Sequence, residues 1–234
     1  MRCVLIGLIG SLSGGTPPSW GWAYYAPSLL TYDITAFQIW CTALVCYGVH
    51  GVIIELLPFS SLQPDTHQLN LSEIIPQVCL NMCSCSILTL TPIQSRGISD
   101  HEAIWYLMIA ALGNEVIYAF IHRLLHTKHL FKYHRMHHKQ KAPRALGAAY
   151  CSLTEMWIAN ISSFLIPLYL VNAPTQIYLI WIICGIQTTQ IHHSCKKLPW
   201  PWSLAHQPLF HDDHHRYVCR NFGNIGVLEF VLQK

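Results

Sequence analysis

Residues 103–126 read AIWYLMIAALGNEVIYAFIHRLLH, an apolar run that ends without a break in two histidines four positions apart. A bilayer core takes about 20 helical residues, and Ala103 to Ile121 comes close to that length. His122 and His126 lie one turn apart on one helix face, so their imidazoles emerge together where the apolar run stops. This stretch therefore predicts a membrane-spanning helix with metal-binding chemistry at its end.

The rest of the chain agrees with a lipid setting. Of its 234 residues, 52% are hydrophobic and 11% charged, against about 25% charged in ordinary soluble domains. The mean hydropathy is +0.32. A net charge of +3 gives no case for nucleic acid, and no basic arm or nucleic-acid module is present. Ala36 to Leu57, closed by Pro58, is a second spanning candidate with Gln38, His50 and Glu55 inside it. Leu71 to Ile93 is a weaker one, broken by Pro76, Gln77 and Asn81. Ser95 to Glu102 reads as a polar turn. Met156 to Gln190 reads as a helical hairpin turning at Asn172-Ala-Pro174, since Asn and Pro favour a turn.

The expected fold class is all-α, an integral membrane bundle of about four spanning helices with a cytosolic, histidine-rich di-metal cap. Residues 1–102 form an N-terminal membrane region and 103–234 the catalytic domain. At the N-terminus, Val4 to Ile9 is short for the apolar core of a signal peptide. The Trp- and Tyr-rich stretch Pro17 to Pro27 suits a membrane interface. Between His122 and Arg144 stand seven basic residues and no acidic one, which places that segment on the cytosolic side. Lys196, Lys197, Arg216 and Arg220 put the C-terminal part on the same side, and a hairpin between the two returns the chain there.

Twelve of the fifteen histidines fall between His122 and His215. They form His122-Arg-Leu-Leu-His126, His134-Arg-Met-His137-His138, His192-His193 and His211-Asp-Asp-His214-His215. In the two HxxHH boxes, positions i, i+3 and i+4 share a helix face. Ten clustered imidazoles exceed what one tetrahedral ion takes, and two ions of four to five ligands each would use the set. The candidate ligands are His122, His126, His134, His137, His138, His192, His193, His211, His214 and His215. Imidazole alone suits zinc, copper, iron or nickel. His129 and His206 are ambiguous, and His50, His67 and His101 read as structural or solvated. Ligating histidines donate their second N–H to a carboxylate or carbonyl, and Glu115, Asp212 and Asp213 are the candidates for that. Glu115 stands out as an acid inside a spanning segment. Trp105, Tyr118, Phe164 and Trp181 are candidates to line a substrate channel. The ten cysteines show no CxxC pair and read as reduced, packed side chains.

At these residues the chain resembles the fatty acid hydroxylase and sterol desaturase superfamily, most nearly its C-4 methylsterol oxidase branch. The resemblance runs over about 103 to 226. It rests on His122-Arg-Leu-Leu-His126, Leu130-Phe-Lys-Tyr-His134, His137-His138, Ala142-Pro143, His193-Ser194, Leu198-Pro-Trp-Pro-Trp-Ser203 and His211-Asp-Asp-His214-His215. It departs from the family at Cys195, where a glycine is common, and at Thr189, where some members carry a histidine. The resemblance implies two bound metal ions, iron or else zinc, and oxygen-dependent oxidation of a lipid, a sterol or an acyl lipid, in the endoplasmic reticulum membrane. It also implies electrons from NAD(P)H through a separate cytochrome b5 system, consistent with the lack of a GxGxxG nucleotide site. Histidine ligands leave open a zinc-dependent membrane hydrolase or isomerase, and a lipid-binding member without activity. A metal transporter fits less well, because its ligands belong near the bilayer midplane.

Overall fold

A computed structural model describes residues 33–199 and 207–224. The expectations for the first apolar run, the Trp/Tyr loop and His206 lie outside the described residues. Helix α1, Ala36–Leu56, opens with a reciprocal cap: the Thr35 hydroxyl accepts from Gln38 N, and the Gln38 side chain accepts from Thr35 N. It stops at Leu57, whose extended backbone is what the following Pro58 requires. Helix α2, Leu71–Ser84, tightens into a 3₁₀ segment, Cys85–Leu90. Helix α3, Asp100–Leu125, starts three residues earlier than the apolar pattern suggests. The reason is the Ser99/Glu102 capping box, which pulls part of the expected polar turn into the helix.

After the one-turn helix α4, Phe131–His134, an irregular stretch carries the 3₁₀ turn His137–Lys139. The expected hairpin follows. Its first arm, α5 (Leu153–Leu170), holds a π-helical segment at Met156–Ile161. Its second arm is α6, Thr175–His192. Asn172 at the tip adopts φ 50°, a left-handed conformation that Asn tolerates. Helix α7, Gln207–Tyr217, carries the last histidine box. Among the described residues there are no strands, only an isolated bridge between Ser61 and Lys196.

Among the described residues, four helices are long and apolar enough to cross a membrane: α1, α2 with its 3₁₀ extension, α3 and α5. Their outer faces carry large apolar side chains, including Val45, Leu80, Leu112, Phe120 and Leu170, as lipid contact demands. Helix α6 runs inside the bundle against α1, α3 and α5, burying Ile177, Tyr178 and Leu179 with Ile39, Ala110 and Leu168. Small residues let the helices close in, a habit of membrane bundles. A Cβ at Gly113 would meet the Pro167 ring, and one at Gly185 the Phe164 ring.

The helix directions gather the histidines at one end. The hairpin tip sits beside the segment that leads into α3, where Thr175 N donates to Gln94 O. The end of α3, the start of α5 and the end of α6 all lie at the opposite end. There Lys196 Nζ donates to Glu55 O and Leu57 O, closing the end of α1.

Candidate metal centre

Among the described residues, two groups of imidazoles form at this end. His122, His126, His134, His138 and His214 make one, and His137, His211 and His215 the other; within each, the ligand atoms lie within 4.8 Å of one another. In the first, Nε2–Nε2 distances are 3.0 Å for His122–His134 and His134–His138, 3.1 Å for His126–His214, and 3.2 Å for His138–His126 and His138–His214. In the second they are 3.0 Å for His215–His137 and 2.8 Å for His215–His211. Nitrogens bound at about 2.1 Å to one ion would stand about 3.0 Å apart at right angles and about 3.4 Å apart in a tetrahedron. The donor set and its spacing fit a metal ion in each group.

Each HxxHH box is split between the groups. His134 and His138 join the first and His137 the second; His211 and His215 join the second and His214 the first. The sequence reading put all three positions of a box on one face. On a regular helix, i+3 and i+4 leave position i on opposite sides, about 100° apart. In the first box the helix also breaks after His134 and the chain re-enters a 3₁₀ turn.

In four of these rings the Nδ1 atom is engaged, which leaves Nε2 free to point inward. His122 Nδ1 bonds Phe222 O at 2.8 Å, His134 Nδ1 bonds Glu155 Oε1 at 2.7 Å, and His214 Nδ1 bonds Arg220 O at 2.7 Å. His193 Nδ1 bonds Thr189 O at 2.7 Å. Such bonds fix the tautomer and aim the ring. His193 sits with its ring 4.1 Å from that of His211 and 5.2 Å from that of His137. Its Nε2 is buried with no partner, which suits it to join the second group. His192 is buried 4.3 Å, ring to ring, from His211.

The surroundings keep these rings neutral, as ligation requires. Burial, then the neighbouring His214, pushes His126 down to about 3. Burial, then His214 and His126, pushes His138 down to about 2. Burial holds His214 at about 4 against the raising effect of the Arg220 carbonyl.

A cavity of about 360 Å³ leads to the centre. Its walls are mostly apolar, with Ile39, Trp40, Met82, Leu88, Phe164 and Ile182 among them; His137, His193, Glu155, Thr189 and Asn224 also line it. Of the expected channel residues, Tyr118 and Phe164 line the cavity. Trp105 is exposed on the outer face, and Trp181 spends its indole N–H on Phe164 O.

The three expected supporting acids have other visible partners. Glu115 Oε2 accepts from Asn224 N at 2.9 Å. Asp212 pairs with Arg216 at 2.9 Å and accepts from Gln63. Asp213 pairs with Arg220 at 3.2 Å. A carboxylate that does bond a clustered histidine is Glu155, which sequence reasoning missed. Its signal was present, an acid at the head of an apolar run, but the run was read as starting at Met156. His129, His67 and His101 are exposed, and His50 bonds Gln190 at 2.8 Å.

The bundle and its paired imidazole groups define a multi-histidine membrane protein with an apolar cavity running to the histidine-rich end. The chain belongs to the fatty acid hydroxylase family, whose model matches residues 107–232. Over 127 residues it is 24% identical to fatty acid hydroxylase ahd1 of Mycosarcoma maydis, covering 54% of this chain and 32% of that protein. Methylsterol monooxygenase erg25A of Aspergillus fumigatus is 28% identical over 50% of this chain and 42% of its own length. Methylsterol monooxygenase 1 of Gallus gallus is 30% identical over 51% of this chain and 44% of its own length. The chain thus spans less than half the length of these relatives. No solved structure matches it.

Proposed function

We propose that this chain is a membrane-bound oxygenase that holds two iron ions in its histidine groups and uses O₂ to oxidise a lipid C–H bond. The substrate class is a sterol, of the C-4 methyl type, or a fatty acyl lipid. The observation that carries this is the cavity, whose apolar walls run to His137 and His193. Relatives named methylsterol monooxygenase and fatty acid hydroxylase support the same chemistry. Bound iron would supply the activation of O₂ that an unreactive C–H bond requires.

The chain's own residues do the rest. His122, His126, His134, His138 and His214 hold one ion; His137, His211 and His215, with His193 and His192 beside them, hold the other. Glu155 and the carbonyls of Arg220, Phe222 and Thr189 keep Nε2 facing the ions. The apolar walls exclude water and align a lipid with the second group. Residues between Ala36 and Ile93 of the N-terminal region 1–102 provide one wall of the cavity, and region 103–234 provides the chemistry. The basic surface around Lys128, Lys132 and Arg135 faces the cytosol on the endoplasmic reticulum membrane, where a cytochrome b5 and an NAD(P)H-dependent reductase deliver electrons.

Lipid mass spectrometry of cells expressing the chain, against a His137→Ala/His138→Ala control, tests this. A lipid that gains oxygen or loses a methyl group only with the intact chain supports the oxygenase and names its substrate. Identical profiles from folded, metal-loaded protein would overturn it, and a zinc-only metal content with turnover lacking O₂ would favour a hydrolase or isomerase.

A further inference from the structure

The segment that follows α7, residues 218–224, crosses the outer side of the five-histidine group and touches it in three ways. The carbonyls of Arg220 and Phe222 receive the Nδ1 atoms of His214 and His122 at 2.7 Å and 2.8 Å. The Phe222 ring packs against His122, His126 and His214 at 5.6, 5.1 and 5.5 Å between centroids. The Arg123 guanidinium covers that ring at 5.3 Å. Asn221, Phe222 and Gly223 are buried, while Cys219 and Arg220 are exposed. The segment is therefore a strap with its inner side on the imidazoles.

The strap is not relaxed. Val218 and Asn221 sit at φ 62° and 60°, and a β-branched residue holds that conformation only when its surroundings impose it. Two latches impose it. Asn221 Nδ2 donates to Phe210 O at 2.9 Å. Asn224 donates twice to adjacent residues of α3, from its backbone N to Glu115 Oε2 at 2.9 Å and from Nδ2 to Asn114 Oδ1 at 3.1 Å. Asn114 in turn donates to Ser163 of α5 at 3.1 Å. A polar ladder inside the membrane bundle thus ends on the strap two residues from the carbonyl that aims His122.

We propose that the strap closes and orients the five-histidine group, with Asn224 the positioning residue that latches it to α3. The role rests on reading that group as a metal site, but its effect is visible without metal. The strap shields His122, His126 and His214, and leaves His137, His211 and His215 to other elements. Loosening the latch should expose the first three alone.

The test is carbethoxylation of metal-free, detergent-solubilised protein by diethyl pyrocarbonate, followed residue by residue by mass spectrometry. Asn224→Ala removes a part-buried hydrogen bond and leaves Asn114 Oδ1 without that donor. Labelling of His122, His126 and His214 should rise about tenfold, with His137, His211 and His215 within about twofold of the unmodified chain. Asn224→Asp, which keeps the volume and places a carboxylate beside Glu115, should give the same pattern if the alanine variant does not fold. Equal rises at all six histidines would mean general loosening and overturn the proposal, as would no rise at any. The iron content of the unmodified chain separately tests the metal reading, so the two failures are distinguishable.

Discussion

His137 and His214 are each the middle histidine of an HxxHH box, and each belongs to the imidazole group built from the outer pair of the other box. The two boxes therefore interlock. Neither group is complete without both the 134–138 segment and α7.

This makes the single substitutions unequal. His137→Ala removes one of the three clustered imidazoles of its group, whereas His214→Ala removes one of five and leaves four in place. After iron loading and gel filtration, His137→Ala should retain about one ion per chain and His214→Ala close to two. Equal loss in both variants would contradict the division.

Glu155 supports His134 through a 2.7 Å bond between buried groups. Glu155→Ala should weaken metal retention about 10–100-fold in chelator competition. Glu155→Gln keeps an oxygen that can accept the Nδ1 proton and should recover most of it. If the two variants behave alike, the bond is not what matters.

The depressed histidines give the metal-free protein a pH dependence whose sign is fixed. Unfolded histidine takes up its proton near 6.5, whereas His138 and His214 resist until about 2 and about 4. Between those values the unfolded state binds more protons, so stability falls as pH falls. At pH 5 each of these two costs about 2 kcal/mol relative to pH 8. Thermal unfolding of the apoprotein should show a clear drop in Tm from pH 7.5 to 5. A flat profile would mean that the rings are not desolvated in solution.

Gly185 lies where a Cβ would run into the Phe164 ring, and Phe164 lines the cavity. Gly185→Ala should cost about 1–3 kcal/mol through overpacking. It should also shift that ring and alter binding of a bulky sterol more than that of a single acyl chain. A fluorescent sterol displacement assay would read this.

Much of the architecture was legible because apolar length and capping signals are local. Ala36 to Leu57 and the far end of the hairpin around Asn172 appear within a residue or two of where the pattern put them, while the first arm of the hairpin begins three residues earlier, at Leu153. The start of α3 was misplaced because polar Asp100 and Glu102 were read as turn, although Ser99 and Glu102 form a capping box. At the site, spacing alone found the histidines, but not their division. The break after His134 and the convergence of α7 depend on contacts between segments some 75 residues apart. Glu155 and the 218–224 strap were hidden for a similar reason. One was assigned to the wrong end of an apolar run, and the other acts largely through backbone carbonyls, which carry no signature of residue type.

The interlocking of the boxes also sets an order of events. A chain emerging from the ribosome presents His122 through His138 well before His211, so for that interval four imidazoles are gathered without the fifth and the other group has a single member. On the proposed reading of these groups as metal sites, capture at full strength would therefore be a late step in the making of the protein. A nascent chain arrested between the boxes would be a weak, promiscuous chelator, exposed to whichever divalent ion is most abundant at the membrane.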